Sequence, residues 1–166
     1  MAYQNRFNSV DLLINQLTPI VQPGTDPLVL SAMAGIVAVE AVTAYELAIK
    51  DIFEEFSRKK NKVFACFVKS SFSRLNGRIR YQEIKDSMVK AFGEKYLRRF
   101  VQKKDDKTAI VLANEHVDLI QTYDNLILGR HQFVHAGNLT MTLQEAIRYF
   151  NIGKELIAAL DEAMKR

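Results

Sequence analysis

The sequence predicts a single all-α domain, a helical bundle of about six to seven helices around one long central helix. Apolar residues recur at helical spacing through most of the chain, and no segment shows the strict alternation of a half-buried strand. Only three prolines and seven glycines interrupt the 166 residues. A chain of this length can bury its own core, so we expect one domain over 1–166, with an N-terminal helix and loop at 1–27 and the core at 28–166.

The N-terminal segments predict a short helix, a break and then the central helix. Asn8 or Ser9 is placed to cap the first helix. The pair Asp26-Pro27 has the order of a cap followed by a proline in the first helical position, which is typical of a helix start. The helix that follows is expected at about 28–56. Because its first half is apolar nearly all round, we expect it to be the central helix.

Composition excludes several classes of protein. Residues 28–39 are uncharged but too few to span a bilayer, and residues 1–16 lack the continuous apolar core of a signal peptide. Cys66 is the only cysteine, which excludes an intrachain disulfide and the cysteine-based zinc sites, and it reads as a small core residue. We therefore expect a cytoplasmic protein with no membrane association and no cofactor.

The middle of the chain predicts two more helices joined by a break. Asn61 is placed to cap a helix whose apolar stripe is Val63, Phe64, Phe67, Val68 and Phe72. Residues 73–77 break this helix. Residues 81–92 read as the next helix, which ends at Gly93.

The following region predicts a short basic helix, a loop and a longer helix. Residues 94–103 form the basic helix and residues 104–107 the polar loop. Asn114 is placed to cap the longer helix, which we expect to run to residue 136 and to end at Gly137. The apolar run at 110–112 fits either a helix or a strand.

A capping box, in which Thr142 and Glu145 are three residues apart, predicts the start of the last helix. Its buried stripe is expected to comprise Leu143, Ile147, Phe150, Ile157 and Leu160.

Charge is distributed unevenly. Between Arg58 and Lys104 there are fifteen Lys or Arg residues and three acidic residues, so this segment carries +12 and the rest of the chain −8. Such an uneven distribution of charge favours a polyanionic partner for the basic segment, and RNA is the one we expect. Solvated helix faces, or a basic surface matched to an acidic protein, are the alternatives.

Several side chains in the basic segment are candidates for RNA contact. Arg74, Arg78 and Arg80 fall in or beside a predicted loop and are the best candidates for phosphate contact. Arg98 and Arg99 are expected on a basic helix face that can also steer RNA. Six interleaved aromatic rings can stack bases, although their helical spacing favours the core: Phe64, Phe67, Phe72, Phe92, Tyr96 and Phe100.

The most informative feature is a cluster of Arg130, His131 and His135 just before a glycine. At about 100° per residue the three side chains share one broad side of a helix. An Arg/His pair suits metal-free RNA transesterification, because a neutral imidazole takes the 2′-hydroxyl proton and a guanidinium stabilises the charge on phosphorus. Alternatively, the histidines are favourable partners of the helix dipole, or a metal-ligand pair at i and i+4 with no acidic residue between them.

Four segments together resemble the HEPN superfamily, and within it the RiboL-PSP-HEPN type, over roughly 28–163. Residues 126–137 resemble its Arg-x4–6-His signature followed by glycine, and 114–125 resemble the helix that leads into it. Residues 44–53 resemble its aromatic-Glu helix, and 84–100 resemble its middle region.

This resemblance implies a helical bundle, usually a homodimer with the signature helices near the two-fold axis. Many members are metal-independent endoribonucleases that act as toxins, some with a cognate antitoxin, or in anti-phage defence. By matching position Arg130 and His135 would be catalytic. His131 replaces the more usual Asn, and would be a polar helper, a second proton carrier or a sign of altered activity. Glu46 would be a third polar group, or simply the ion-pair partner of Lys50.

Some members of the superfamily are inactive modules that bind RNA, a nucleotide or a partner protein. The resemblance therefore leaves a non-catalytic binding module as the alternative to an endoribonuclease.

Overall fold

The computed structural model describes residues 2–73, 75, 77–137 and 140–165. The secondary structure of these residues consists of helices, with no strand, which confirms the all-α prediction. A 3₁₀-helix (Ala2–Phe7) leads into α1 (Asn8–Leu17), and a second 3₁₀ turn (Thr18–Ile20) follows it. The later helices are α2 (Pro27–Arg58), α3 (Lys62–Ser71), α4 (Tyr81–Glu83), α5 (Glu94–Glu115), α6 (Leu119–Ala136) and α7 (Leu143–Met164).

The N-terminus of α2 is formed as the sequence predicts. The Asp26 carboxylate accepts a hydrogen bond from the backbone N–H of Leu28 at 2.7 Å, and Pro27 occupies the first helical position. By length and composition alone, α2 is apolar enough to cross a membrane. In this fold it is the central helix, contacted by α1, α3, α6 and α7, and half of its most apolar 18-residue window is buried.

A stack of aromatic rings joins α2, α6 and α7. The buried Tyr45 ring lies 5.3 Å from that of Tyr123 and 5.8 Å from that of Phe150, measured between centroids. Glycine also lets α2 and α6 approach closely, because a Cβ on Gly35 of α2 would lie 2.2 Å from the ring of Phe133 on α6.

The helices α2 and α6 run antiparallel. From the Gly35–Phe133 contact to the Tyr45–Tyr123 contact, the position rises by ten residues on α2 and falls by ten on α6.

The helix α5 is longer than the sequence predicts. The expected loop at 104–107 is wrong, because these residues continue α5 without interruption. Asp105 and Asp106 are exposed on the helix surface, whereas Lys107, together with Lys103 just before the run, binds the neighbouring helix. The ammonium group of Lys107 lies 2.9 Å from Glu155 on α7, and that of Lys103 lies 3.5 Å from Glu162. The ambiguous run at 110–112 is also helical.

The boundary between α5 and α6 falls four residues later than predicted. Asn114 lies inside α5 and is not a cap. The helix ends at Glu115, and His116 after it adopts a left-handed conformation with φ +57°. Asp118 caps α6 instead, because its carboxylate accepts from the backbone N–H of Gln121 at 2.7 Å. The predicted C-terminal end is confirmed, since Gly137 follows the last helical residue with φ +68°.

The helix α3 buries less of its predicted stripe than expected. Asn61 caps it as predicted, by accepting from Val63 N–H at 2.7 Å. Val68 is buried and Phe72 stacks on Phe53 of α2. Val63 and Phe67 are exposed, and so is Cys66, so the prediction of a core cysteine is wrong. A short helix packed mainly against α2 buries only a narrow face.

Three other helix boundaries can be compared with those that the sequence predicts. The predicted cap at Asn8 or Ser9 is wrong, because the preceding 3₁₀-helix continues directly into α1. The predicted helix at 81–92 is confirmed in outline, although α4 continues as a π-helix (Ile84–Val89) and a 3₁₀ turn (Lys90–Phe92). The capping box at Thr142 is confirmed, and the stripe of α7 faces the core, with Ile147 only partly buried.

Candidate functional site

The signature residues occupy the last two turns of α6. The side chain of Arg130 is half-buried, and its Nε is fully buried without a hydrogen-bond acceptor among the described residues. His131 and His135 are exposed one turn apart, with ring centroids 4.4 Å from each other. The arginine is therefore partly enclosed by its surroundings, whereas both imidazoles are open to solvent.

The wall facing Arg130 is a loop that begins at Gly77. The backbone N–H of Gly77 donates a hydrogen bond to the carboxylate of Glu46 on α2. Gly77 has φ +79°, and a Cβ built there would lie 3.5 Å from Arg130 Nη1 and 3.8 Å from the Glu46 carboxylate. Glycine thus lets the backbone pass between these two charged groups with a φ that other residues rarely adopt. Lys50 donates to the Ser73 carbonyl at 3.2 Å. Glu46 and Lys50 of α2 therefore both bind the backbone between α3 and α4.

The same loop is fixed at two further backbone positions by α6. The buried hydroxyl of Tyr123 donates to the carbonyl of Ile79 at 2.8 Å, and the Ile79 side chain is itself buried. The backbone N–H of Tyr81 donates to the carboxylate of Asp124 at 3.1 Å. Partial burial raises the pKa of Asp124 above its ordinary value, against the lowering effect of this hydrogen bond.

The anchored loop backbone carries Arg78 and Arg80. They flank the buried Ile79, and both are exposed. Because Ile79 is held inward at its side chain and its carbonyl, the two arginines are carried by a backbone that is fixed rather than free.

The loop and α6 together enclose a surface cavity of about 380 Å³, lined by Gly77, Arg78, Arg80, Glu83, Ile127, Arg130 and His131. Three guanidinium groups outnumber the single carboxylate. Glu83 is also engaged, because it accepts from the backbone N–H of Arg80 at 3.0 Å. The cavity therefore favours an anion, and planar guanidinium groups suit the oxygens of a phosphate.

Some of the predicted site residues do not line this cavity. His135 reaches it only through its ring contact with His131. Arg99 donates to the backbone carbonyl of Glu162 on α7 at 3.2 Å, and Arg98 lines a separate depression on α5. Arg74 lies outside the described residues.

Tyr123 and Asp124 belong to the site, and sequence reasoning missed them. Their partners, Ile79 and Tyr81, lie more than forty residues earlier in the chain. No local pattern connects the two segments, so only the tertiary structure identifies these contacts.

The described residues contain no group of three or more His, Cys, Asp or Glu side chains placed to hold a metal ion. His131 and His135 therefore have no third protein ligand of these types in that part of the chain.

Comparison with known proteins gives one result. The family model described as RiboL-PSP-HEPN matches residues 2–166. The match extends over the N-terminal helices, which the resemblance found from motifs did not cover. No curated protein and no solved structure matches the chain.

Proposed function

The chain belongs to the RiboL-PSP-HEPN family, and from this we propose that it is a metal-independent endoribonuclease of the HEPN type. The observation that supports the proposal is the convergence of Arg130, Arg78 and Arg80 on one cavity beside His131. A cavity with this charge suits the phosphate of an RNA backbone, and the imidazoles supply proton transfer near neutral pH.

In the proposed reaction the imidazole of His135 takes the proton from a ribose 2′-hydroxyl. The 2′-oxygen then attacks the adjacent phosphorus, and the bond from phosphorus to the 5′-oxygen breaks. Arg130 stabilises the charge that develops on the phosphoryl oxygens. His131, as an imidazolium, gives a proton to the departing 5′-oxygen. The products are a 2′,3′-cyclic phosphate and a 5′-hydroxyl, and DNA resists because it lacks the attacking group.

We further propose that the active form is a homodimer with the two α6 helices near its axis. Within one chain His135 does not line the cavity that contains Arg130. Exposed apolar side chains are present on both helices of the site: Leu128 and Val134 on α6 are 40% and 50% exposed, and Ile36 on α2 is 48% exposed. A second copy would cover such residues and bring more imidazoles to each cavity.

The test is cleavage of total RNA by purified protein in EDTA. We expect the wild type to produce fragments with cyclic-phosphate ends, and Arg130→Ala and His135→Ala to lower the rate about 100-fold or more. All three proteins should give the same circular dichroism spectrum, because neither side chain is part of the core.

Two matched controls separate the site from general loss of charge. Arg58→Ala removes an arginine whose side chain is 71% exposed, and His116→Asn keeps a residue that tolerates the left-handed conformation. Both should cleave like the wild type. Equal cleavage by the wild type and both site variants would refute the assignment.

A non-catalytic module that binds RNA, a nucleotide or a partner protein is the second candidate. The observation that favours it is the separation of His135 from the arginine cavity within one chain. It predicts binding that weakens as salt is raised, with no cyclic-phosphate product in the same assay.

A role as a toxin or in anti-phage defence, with a cognate antitoxin or another protein partner, is part of the proposal and rests on the family. A cytoplasmic location is likewise proposed, as the compartment in which RNA is the substrate.

A further inference from the structure

The C-terminal end of α6 presents two imidazoles side by side. His131 and His135 are four residues apart, so their side chains are neighbours on one face of the helix. Both residues are exposed. Among the described residues neither imidazole takes part in a hydrogen bond or an ion pair, so their nitrogens are free to bind a ligand.

The two rings are close enough to share one metal ion. Their centroids are 4.4 Å apart, and their planes are inclined at 51°. With a metal–nitrogen bond of about 2 Å, a ring centroid lies about 3.2 Å from the ion, so two ligands at a right angle place their centroids about 4.5 Å apart. The observed separation matches that of adjacent ligands on one ion, and rotation of two exposed side chains can aim the nitrogens.

The chemistry of the pair selects the kind of ion. Imidazole nitrogen binds Cu²⁺, Ni²⁺ and Zn²⁺, whereas Mg²⁺ and Ca²⁺ prefer oxygen ligands. In the divalent series Cu²⁺ has the strongest affinity for such a site. A right angle between the two ligands also suits the tetragonal geometry of Cu²⁺ better than the tetrahedral geometry of Zn²⁺.

Two electrostatic effects of opposite sign act on a cation at this position. His135 is in the last turn of α6, where the negative end of the helix dipole favours positive charge. The three arginines of the cavity beside His131 oppose it. Opposition by these arginines lowers the affinity for every divalent ion, and therefore favours the one that binds imidazole most strongly.

We propose that His131 and His135 chelate a divalent transition-metal ion, Cu²⁺ ahead of Zn²⁺, and that this ion inhibits RNA cleavage. The metal site rests on the pair alone, whereas the inhibition rests on the proposed function. A neutral imidazole has one acceptor nitrogen, and the lone pair that binds the metal is the one that would accept a proton. The ion is thus an inhibitor and not a cofactor.

Binding is measured by isothermal titration calorimetry with CuCl₂, on EDTA-free protein purified without a polyhistidine tag. Every protein carries Cys66→Ser, because the exposed thiol of Cys66 would itself react with Cu²⁺. We expect one ion per chain. His131→Ala and His135→Ala should each weaken binding about 10-fold or more, because a single ligand replaces a chelate. An excess of MgCl₂ should leave the Cu²⁺ affinity unchanged.

Two matched variants separate chelation from the mere presence of histidine. His116→Asn removes the third histidine of the chain, which follows α5, and should bind Cu²⁺ like its parent. Exchange of two neighbours, His135→Ala together with Ala136→His, keeps the composition but places the imidazoles about 140° apart around the helix. Equal Cu²⁺ affinity of the parent and the exchanged variant would overturn the site.

Inhibition is tested by cleavage of a short RNA oligonucleotide with EDTA omitted. CuCl₂ at about 10 times its measured Kd should lower the rate about 10-fold, in proportion to the free site. An excess of EDTA should restore the rate, which excludes irreversible damage. Cleavage at the EDTA rate while the site is saturated would overturn the inhibition.

The outcome is separable from that of the proposed function. Cleavage in EDTA tests the enzyme without any metal, and calorimetry tests the site without any RNA. Chelation by a protein that cleaves no RNA would retain the site and reject the enzyme. Cleavage in EDTA without chelation would retain the enzyme and reject the site.

Discussion

Arg130 is the residue whose environment says most about the site. A buried donor without an acceptor costs about 1–3 kcal/mol, and its Nε has none among the described residues. Its Nη1 lies against the backbone of Gly77, at a position with φ +79° that favours glycine. The unpaired Nε reduces stability, which fits a guanidinium kept in place for a ligand rather than for the fold.

We predict that Arg130→Lys lowers the rate of RNA cleavage about 10-fold or more without lowering the free energy of unfolding below that of the wild type. Lysine keeps the charge but cannot present two N–H groups in one plane. The free energy of unfolding should not fall, because Nε makes no hydrogen bond to the described residues that the substitution could remove. Initial rates and urea denaturation of the two proteins measure this. Cleavage at the wild-type rate would mean that Arg130 contributes charge alone.

At this scale the sequence identifies Arg130, His131 and His135 but not their surroundings. Chemistry and spacing within one helix are local properties and can be read directly. Other properties depend on the tertiary fold. Two examples are the hydrogen bond from the loop backbone to Glu46 and the exposure of Phe67 and Cys66. A periodic apolar stripe indicates which face is able to be buried, not how wide a face the neighbouring helices cover.

At the scale of elements, the loop at 77–80 depends on α6 for its shape. Tyr123 and Asp124 lie one to two turns before Arg130 on the same helix, and they bind the loop backbone at Ile79 and Tyr81. One helix therefore both carries the signature arginine and positions the arginines opposite it.

Tyr123→Phe should accordingly raise KM for an RNA oligonucleotide several-fold with little change in kcat. Loss of the hydroxyl leaves the Ile79 carbonyl unbound and frees Arg78 and Arg80. Since Arg130 is the group assigned to the reacting phosphate, we expect Arg78 and Arg80 to hold the phosphates next to it. We also expect a loss of about 1 kcal/mol in stability, so a purely structural effect must be excluded.

Tyr45→Phe is the matched control for this variant. Tyr45 stacks on Tyr123, is equally buried, and donates to the Phe150 carbonyl at 2.5 Å. It should lose similar stability with KM unchanged. Equal KM values for the two variants would show that the loop does not depend on the Tyr123 hydroxyl.

Element boundaries follow from the sequence only where a cap is local. Asp26, Asn61 and Thr142 form their caps through neighbouring backbone groups, and all three are predicted. The prediction of a loop at 104–107 fails because Lys107 pairs with Glu155 of α7, a contact between residues about fifty positions apart. Charged runs signal a loop only if no other element offers opposite charge.

At the scale of the whole molecule, charge and exposed apolar surface are unevenly placed. The segment from Arg58 to Lys104 carries +12, and the remaining residues carry −8. In our proposals Arg78 and Arg80 of the basic segment bind RNA, and the exposed apolar residues of α2 and α6 contact a second copy of the chain. Because His135 does not line the Arg130 cavity within one chain, our dimer proposal requires that each site combine groups from both copies.

This requirement predicts complementation between two inactive variants. Arg130→Ala and His135→Ala homodimers should each be inactive, whereas a mixed dimer has one site that receives Arg130 from one chain and His135 from the other. Equal mixing with subunit exchange makes half of the dimers mixed, each with one of two sites intact. The mixture should therefore recover about a quarter of the wild-type cleavage rate.

The same mixture distinguishes a shared site from one contained in a single chain. If Arg130 and His135 act within one chain, every site in the mixed dimer lacks one of them and no activity returns. Native mass spectrometry with one variant mass-labelled would confirm that mixed dimers are present. Inactive mixed dimers would place both groups in one chain and leave His131, which lines the Arg130 cavity, as the imidazole nearest the phosphate.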